Sequence, residues 1–141
     1  MRARVKWVEG RTFVGQSGSG HGLIIDGPTE HGGSNLGPSP MELVLLGTGG
    51  CTAFDVLDIL KKGRQAVEDC WVELDAERAA EAPKVFTRIT MRFVVTGKAL
   101  NRATVERAVQ LSAEKYCSAS IMIGKTAEIV REVEIRDSAM A

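Results

Sequence analysis

The sequence predicts an α+β fold, and three observations carry that prediction. Short apolar–polar alternations separated by Gly-rich turns occupy the first 26 residues. One long apolar segment without a break follows at about 40–62. After it come two long alternating segments, helical spacing, and a last alternating segment. The order is βββ-α-ββ-α-α-β, with a long central helix and with strands and helices in separate runs, the α+β pattern. The chain has 141 residues, the size of one domain, 1–141. Such a chain buries roughly 68–70% of its unfolded surface and needs no disulfide or metal staple.

Each element follows from local chemistry. "MRARVKWV" alternates with period two, "EGRT" is a turn, and "FVGQ" is a short strand. "SGSGHG" turns again into a third strand, "LIID". Residues 27–38, "GPTEHGGSNLGP", form a long Gly/Pro-rich loop, a length often used for a site or an arm. Ser39 then caps a helix, Pro40 takes its first position, and Glu42 completes a capping box. Lys61 and Lys62 suit the last turn and Gly63 the stop. Leu43, Val44, Leu45 and Leu46 are consecutive, so the helix is apolar on every side. It must be covered all round, and that points to a partner subunit.

"AVEDCWVELDAE" reads as a strand with Cys70, Val72 and Leu74 on one face. "KVFTRITMRFVVTG" pairs with it, with Val85, Thr87, Ile89, Met91, Phe93 and Val95 on one face and Arg88 and Arg92 pointing away. Asn101 caps a second helix through Val105, Ala108, Val109, Ser112, Ala113 and Tyr116. "CSASIMIG" gives a short third helix ending at Gly124, and "TAEIVREVEIRD" the final strand.

Composition excludes several function classes. Eighteen basic residues balance eighteen acidic ones, so no basic field draws in nucleic acid. No signal peptide and no stretch of ~18 apolar residues is read in the chain, so no membrane partner is expected. That places it in the cytoplasm, where its three cysteines are reduced at rest. Cys51, Cys70, Cys117, His21 and His31 show no CxxC or HxxxH spacing, so neither a metal nor a cofactor is expected.

The chemistry that remains is thiol chemistry. Cys51 follows Gly49 and Gly50 inside the long helix, where each glycine costs about 1 kcal/mol relative to alanine. A helical side chain leans toward the preceding turn, so the glycines open space for another helix or a small substrate. Cys117 stands between two helices, and a thiol at a helix start is favoured as thiolate. Cys70, on the apolar face of a strand, reads as a small hydrophobe. Glu42 is first a cap; nine residues before Cys51, it is also the candidate catalytic carboxylate beside Cys51 and Cys117, reaching a shared site only at the edge.

The pair "SPMELVLLGTGGCTAFDVL" and "AEKYCSAS" resembles the OsmC/Ohr family of osmotically inducible and organic hydroperoxide resistance proteins. The whole chain follows that family's element order and looks closest to its YhfA-like branch. The resemblance implies an intertwined homodimer, two central helices packed together with sheets wrapped around them. It implies reduction of a small organic hydroperoxide, with Cys51 as the peroxidatic thiol, Cys117 as the resolving one, and a dithiol reductant to restore both. Active members carry a glutamate ten residues before the first cysteine, paired with an arginine. Here Met41 stands at that position and the carboxylate is one place later, at Glu42. Arg4 and Arg11 are the candidates for the arginine. The competing reading is a non-catalytic or sensing protein of the same fold that binds a small ligand at the dimer interface.

Overall fold

The structure is a computed structural model and describes residues 1–138. These residues fall into two compact units, Met1–Val44 and the chain from Leu45 onward. In the first unit β1 (Ala3–Glu9), β2 (Thr12–Ser17) and β3 (Gly22–Ile25) form an antiparallel sheet in that order. Phe13 of β2 stands opposite Trp7 on one side and Ile25 on the other. The loop after β3 is built around Asp26. This buried carboxylate accepts hydrogen bonds from Thr12 Oγ1 (2.8 Å), Gly27 N (2.7 Å) and Ser34 N (3.0 Å). The expected long loop is therefore held by one acidic residue and a short 3₁₀ turn, Thr29–His31.

The central helix, α1, spans Pro40–Lys62. Its capping box forms as expected: Ser39 N donates to Glu42 Oε1 at 3.0 Å, and Glu42 N donates to Ser39 Oγ at 3.3 Å. The stop differs. Gly63 still donates to the Ile59 carbonyl, and Arg64 takes the left-handed conformation at φ 57°. Gln65 N then closes on the Leu60 carbonyl at 3.0 Å, the bond that satisfies an orphan helix-end carbonyl. Thr48, Gly49, Thr52, Val56 and Leu60 make the buried stripe of α1. Leu46 and Phe54 remain 59% and 80% exposed, so within one chain the helix is covered on one side only. By length and mean hydropathy alone α1 would be apolar enough to cross a membrane. It nevertheless keeps Asp55 and Asp58 in its second half, and a core helix of a soluble protein meets the same test.

In the second unit β4 (Ala66–Arg78) pairs antiparallel with β5 (Phe86–Lys98), and β6 (Glu128–Asp137) pairs parallel with β5. Ile89, Met91, Phe93 and Val95 are fully buried, as the alternation predicted. Val85 is exposed and lies before β5, which starts at Phe86, and Thr87 is exposed too. A parallel partner needs a crossover, and α2 (Arg102–Leu111), a π turn (Ser112–Tyr116) and α3 (Ser118–Ile123) supply it. Asn101 caps α2 by accepting from Thr104 N at 3.0 Å. Tyr116, expected on the inner face, is half exposed, because the π turn breaks the helical period after Leu111.

Candidate active site

Cys51 lies in the middle of α1, half-buried, one position before the fully buried Thr52. Gly49 packs against β4: a Cβ there would sit 2.6 Å from Leu74 Cδ1, whereas Gly50 has open space around it. Gly49 thus admits a strand residue of the same chain, while Gly50, next to the thiol, leaves open space there. Asp55 is four residues after Cys51, one turn along the same helix face. Cys117 stands at the break between the π turn and α3, and is fully buried. Its Sγ accepts from Ser120 N at 3.4 Å, so the thiol caps α3.

The fold brings these groups together. The sulfurs of Cys51 and Cys117 and a carboxylate oxygen of Asp55 all lie within 4.8 Å of one another. The two cysteines are 66 positions apart in sequence, so only the folded chain makes this cluster. Ser112 holds Asp55 in place. Its Oγ donates to Asp55 Oδ2 at 3.0 Å and pairs with Thr52 Oγ1 at 2.9 Å. A cleft lined by Asp55, Asp58, Ile59, Lys62, Leu111 and Tyr116 opens beside the carboxylate.

The electrostatics overturn one expectation. Cys117 does sit at a helix start and receives the Ser120 N–H, which favours the thiolate. Burial outweighs this and pushes the thiol above its ordinary pKa, and the neighbouring Cys51 pushes the same way. Arg131, on β6, lies within reach of the Cys117 charge. Burial pulls the Arg131 guanidinium down and the Cys117 charge opposes that pull. Its Nε is buried without a hydrogen-bond partner.

Of the residues singled out in sequence, Cys51 and Cys117 meet. Glu42 is engaged in the helix cap, and its hydrogen bonds from Ser39 hold its pKa below the ordinary carboxylate value. Cys70 lies on β4, with its thiol pushed up by burial and by Asp69. His21 and His31 are exposed, and Arg11 donates to the His31 carbonyl. Three residues of the cluster, Asp55, Ser112 and Arg131, had no such role in the sequence reading. Two left a signal. Asp55 follows Cys51 at helical spacing, and Arg131 falls in register with the apolar Ile129, Val133 and Ile135 on alternate positions of β6. Arg131 also stands opposite the fully buried Met91.

The OsmC-like protein profile matches residues 32–132. The chain belongs to the OsmC-like protein family. Protein YhfA of Escherichia coli K12 is 53% identical over 135 residues, covering 96% of this chain and 98% of that protein. A hypothetical protein from Aquifex aeolicus VF5 is 29% identical with a TM-score of 0.85, covering 97% of this chain and 96% of the other. The organic hydroperoxide resistance protein OsmC of Legionella pneumophila, described as a predicted redox protein and regulator of sulfide bond formation, is 20% identical. Its TM-score is 0.70, with 94% of this chain and 95% of that one covered. The α+β fold of this OsmC-like chain is thus the fold of its relatives.

Proposed function

We propose that this OsmC-like protein reduces small organic hydroperoxides by a two-cysteine mechanism and protects the cell against oxidative stress. The observation that carries the reading is the approach of the Cys51 and Cys117 sulfurs to within 4.8 Å inside a folded, disulfide-free chain. A disulfide needs an S–S distance of about 2.05 Å, a side-chain-scale closure from there. The Cys51 thiolate attacks the peroxide O–O bond, the alcohol leaves, and Cys51 becomes a sulfenic acid. The Cys117 thiol condenses with it, a disulfide forms and water leaves. A dithiol reductant then returns both thiols by exchange and is itself oxidised to a disulfide. The raised pKa of Cys117 suits the second role, because a thiol kept protonated does not compete for the peroxide.

In this reading residues 1–141 act as one OsmC-like domain in a cytoplasmic homodimer, and the uncovered Leu46 and Phe54 of α1 are the surface a second copy covers. The Legionella protein of the same fold carries hydroperoxide resistance in its name. One observation favours the second reading, a sensing or ligand-binding protein. Met41 occupies the position of the family's glutamate, and Glu42 is committed to the cap. The deciding experiment is a peroxide-consumption assay with a dithiol reductant on wild type, Cys51→Ser and Cys117→Ser. Catalytic turnover by wild type, lost in Cys51→Ser, is expected; stoichiometric or absent consumption by wild type selects the sensing or binding protein.

A further inference from the structure

From the same cluster we infer that the reduced protein binds one thiophilic divalent cation, of the zinc class, through Cys51, Cys117 and Asp55. Three potential anionic ligands lie mutually within 4.8 Å in a half-buried to buried setting. A tetrahedral zinc ion, with Zn–S of about 2.3 Å and Zn–O of about 2.0–2.2 Å, holds two sulfurs roughly 3.8 Å apart. The ligand atoms therefore need to close by no more than about 1 Å. Zinc spacing is usually read from paired motifs along the sequence. Here one ligand pair is made by a helix turn, Cys51 and Asp55, and the third ligand, Cys117, comes from 66 positions along the chain.

The surroundings fit a metal centre. Two thiolates select soft or borderline ions over magnesium or calcium. Ser112 orients the carboxylate and the Ser120 N–H orients the Cys117 sulfur, the outer hydrogen bonds that such ligands need. A carboxylate has about four lone-pair sites, so the bond from Ser112 leaves room for an ion. Two thiolates and a carboxylate around a divalent ion leave one negative charge, and the Arg131 guanidinium lies within electrostatic reach of Cys117 to balance it. Three protein ligands leave a fourth position open, and Cys51 and Asp55 are both only half-buried.

Binding of the ion does not rest on the peroxidase reading; its release does. Oxidation of the two bound thiolates to a disulfide by one hydroperoxide consumes two protons, yields the alcohol and water, and frees the cation. The metal site is then present only in the reduced protein.

The test is competition for zinc against a chromophoric chelator, using fully reduced, metal-free protein and no peroxide. One ion per chain is expected, with at least tenfold weaker binding in Asp55→Asn and loss of the site in Cys51→Ser or Cys117→Ser. Cobalt added in place of zinc should give a sulfur-to-metal charge-transfer band that both cysteine variants lack. Should a variant unfold, wild type alone decides: zinc should protect Cys51 and Cys117 from alkylation, mapped by mass spectrometry, while Cys70 stays reactive once unfolded. Binding by wild type no stronger than by the double cysteine variant overturns the inference, as does protection that falls on Cys70 instead. Peroxide consumption measured with excess chelator is unaffected by that failure, so the two readings stand or fall separately.

Discussion

Replacing Ser112 with alanine is the sharpest probe of how the site is held. The Ser112 hydroxyl has one proton, which goes to Asp55 at 3.0 Å. The 2.9 Å contact with Thr52 is then a bond in which Thr52 donates. Both Thr52 and Ser112 are fully buried. Ser112→Ala removes the acceptor of a buried hydroxyl, and a stranded group of that kind costs about 1–3 kcal/mol. Asp55 borders a cleft and recovers water, so it adds little. For a chain of this size about 2 kcal/mol is roughly a 6–10 °C drop in Tm. The assay is thermal unfolding by circular dichroism with reductant and chelator present, at one fixed protein concentration. Thr52→Val in the Ser112→Ala background deletes the stranded hydroxyl and should restore part of the loss, because removing both partners is far cheaper than removing one. A Ser112→Ala protein within about 0.5 kcal/mol of wild type, a level typical of inconsequential surface changes, refutes the argument. So does a double variant that is less stable than the single one.

Further outcomes follow from other parts of the chain. Ser39→Ala should lose about 1 kcal/mol with its cap, while Glu42→Gln, which still caps, should lose little stability and keep peroxide consumption. Loss of consumption in a folded Glu42→Gln protein assigns Glu42 to the chemistry. Gly97→Ala would place a Cβ 2.2 Å from the Ala66 carbonyl oxygen, a backbone atom of the paired strand. Denaturant melts should show at least the roughly 1–3 kcal/mol of an overpacked core, and an unchanged midpoint contradicts that register. The Cys117 pKa is raised in the folded chain. Its contribution to stability is therefore complete below the ordinary thiol pKa of about 8.5 and is lost as pH rises through the folded value. Alkylation of Cys117 in the folded, reduced protein should accordingly have its pH midpoint above that of a free cysteine; a midpoint at or below it removes burial as the dominant effect.

Much of the fold was legible because it is written in local rules. The capping box at Ser39 and Glu42, the Asn101 cap and the alternation at Ile89, Met91, Phe93 and Val95 all have short-range causes. α1 ends at Lys62 as its last-turn lysines and Gly63 imply, but the left-handed turn falls at Arg64, not at glycine, because there the Gln65 N–H can reach the Leu60 carbonyl. The π turn after Leu111 has no sequence marker, and it re-aims Tyr116. In the site, Cys51 and Cys117 stood out by their settings, but their meeting depends on a crossover and a parallel strand that no spacing rule supplies. The protonation preference of Cys117 was read with the wrong sign: a helix start is visible in sequence, complete burial is not. Asp55 and Arg131 are polar groups at helix-face and strand-face positions, and spacing alone does not tell such a residue from an ordinary solvated one.

The most direct measurement of the central claim is a thiol count and peptide map after one equivalent of an organic hydroperoxide. The protein should be fully reduced, folded and held in chelator. The account predicts two thiols lost per chain, a Cys51–Cys117 disulfide, and Cys70 still alkylatable after denaturation. In Cys117→Ser the reaction should stop at a sulfenic acid on Cys51 that dimedone traps. Cys51 remaining reduced for minutes under millimolar cumene hydroperoxide, in protein that stays folded, contradicts the account, as does a disulfide made through Cys70.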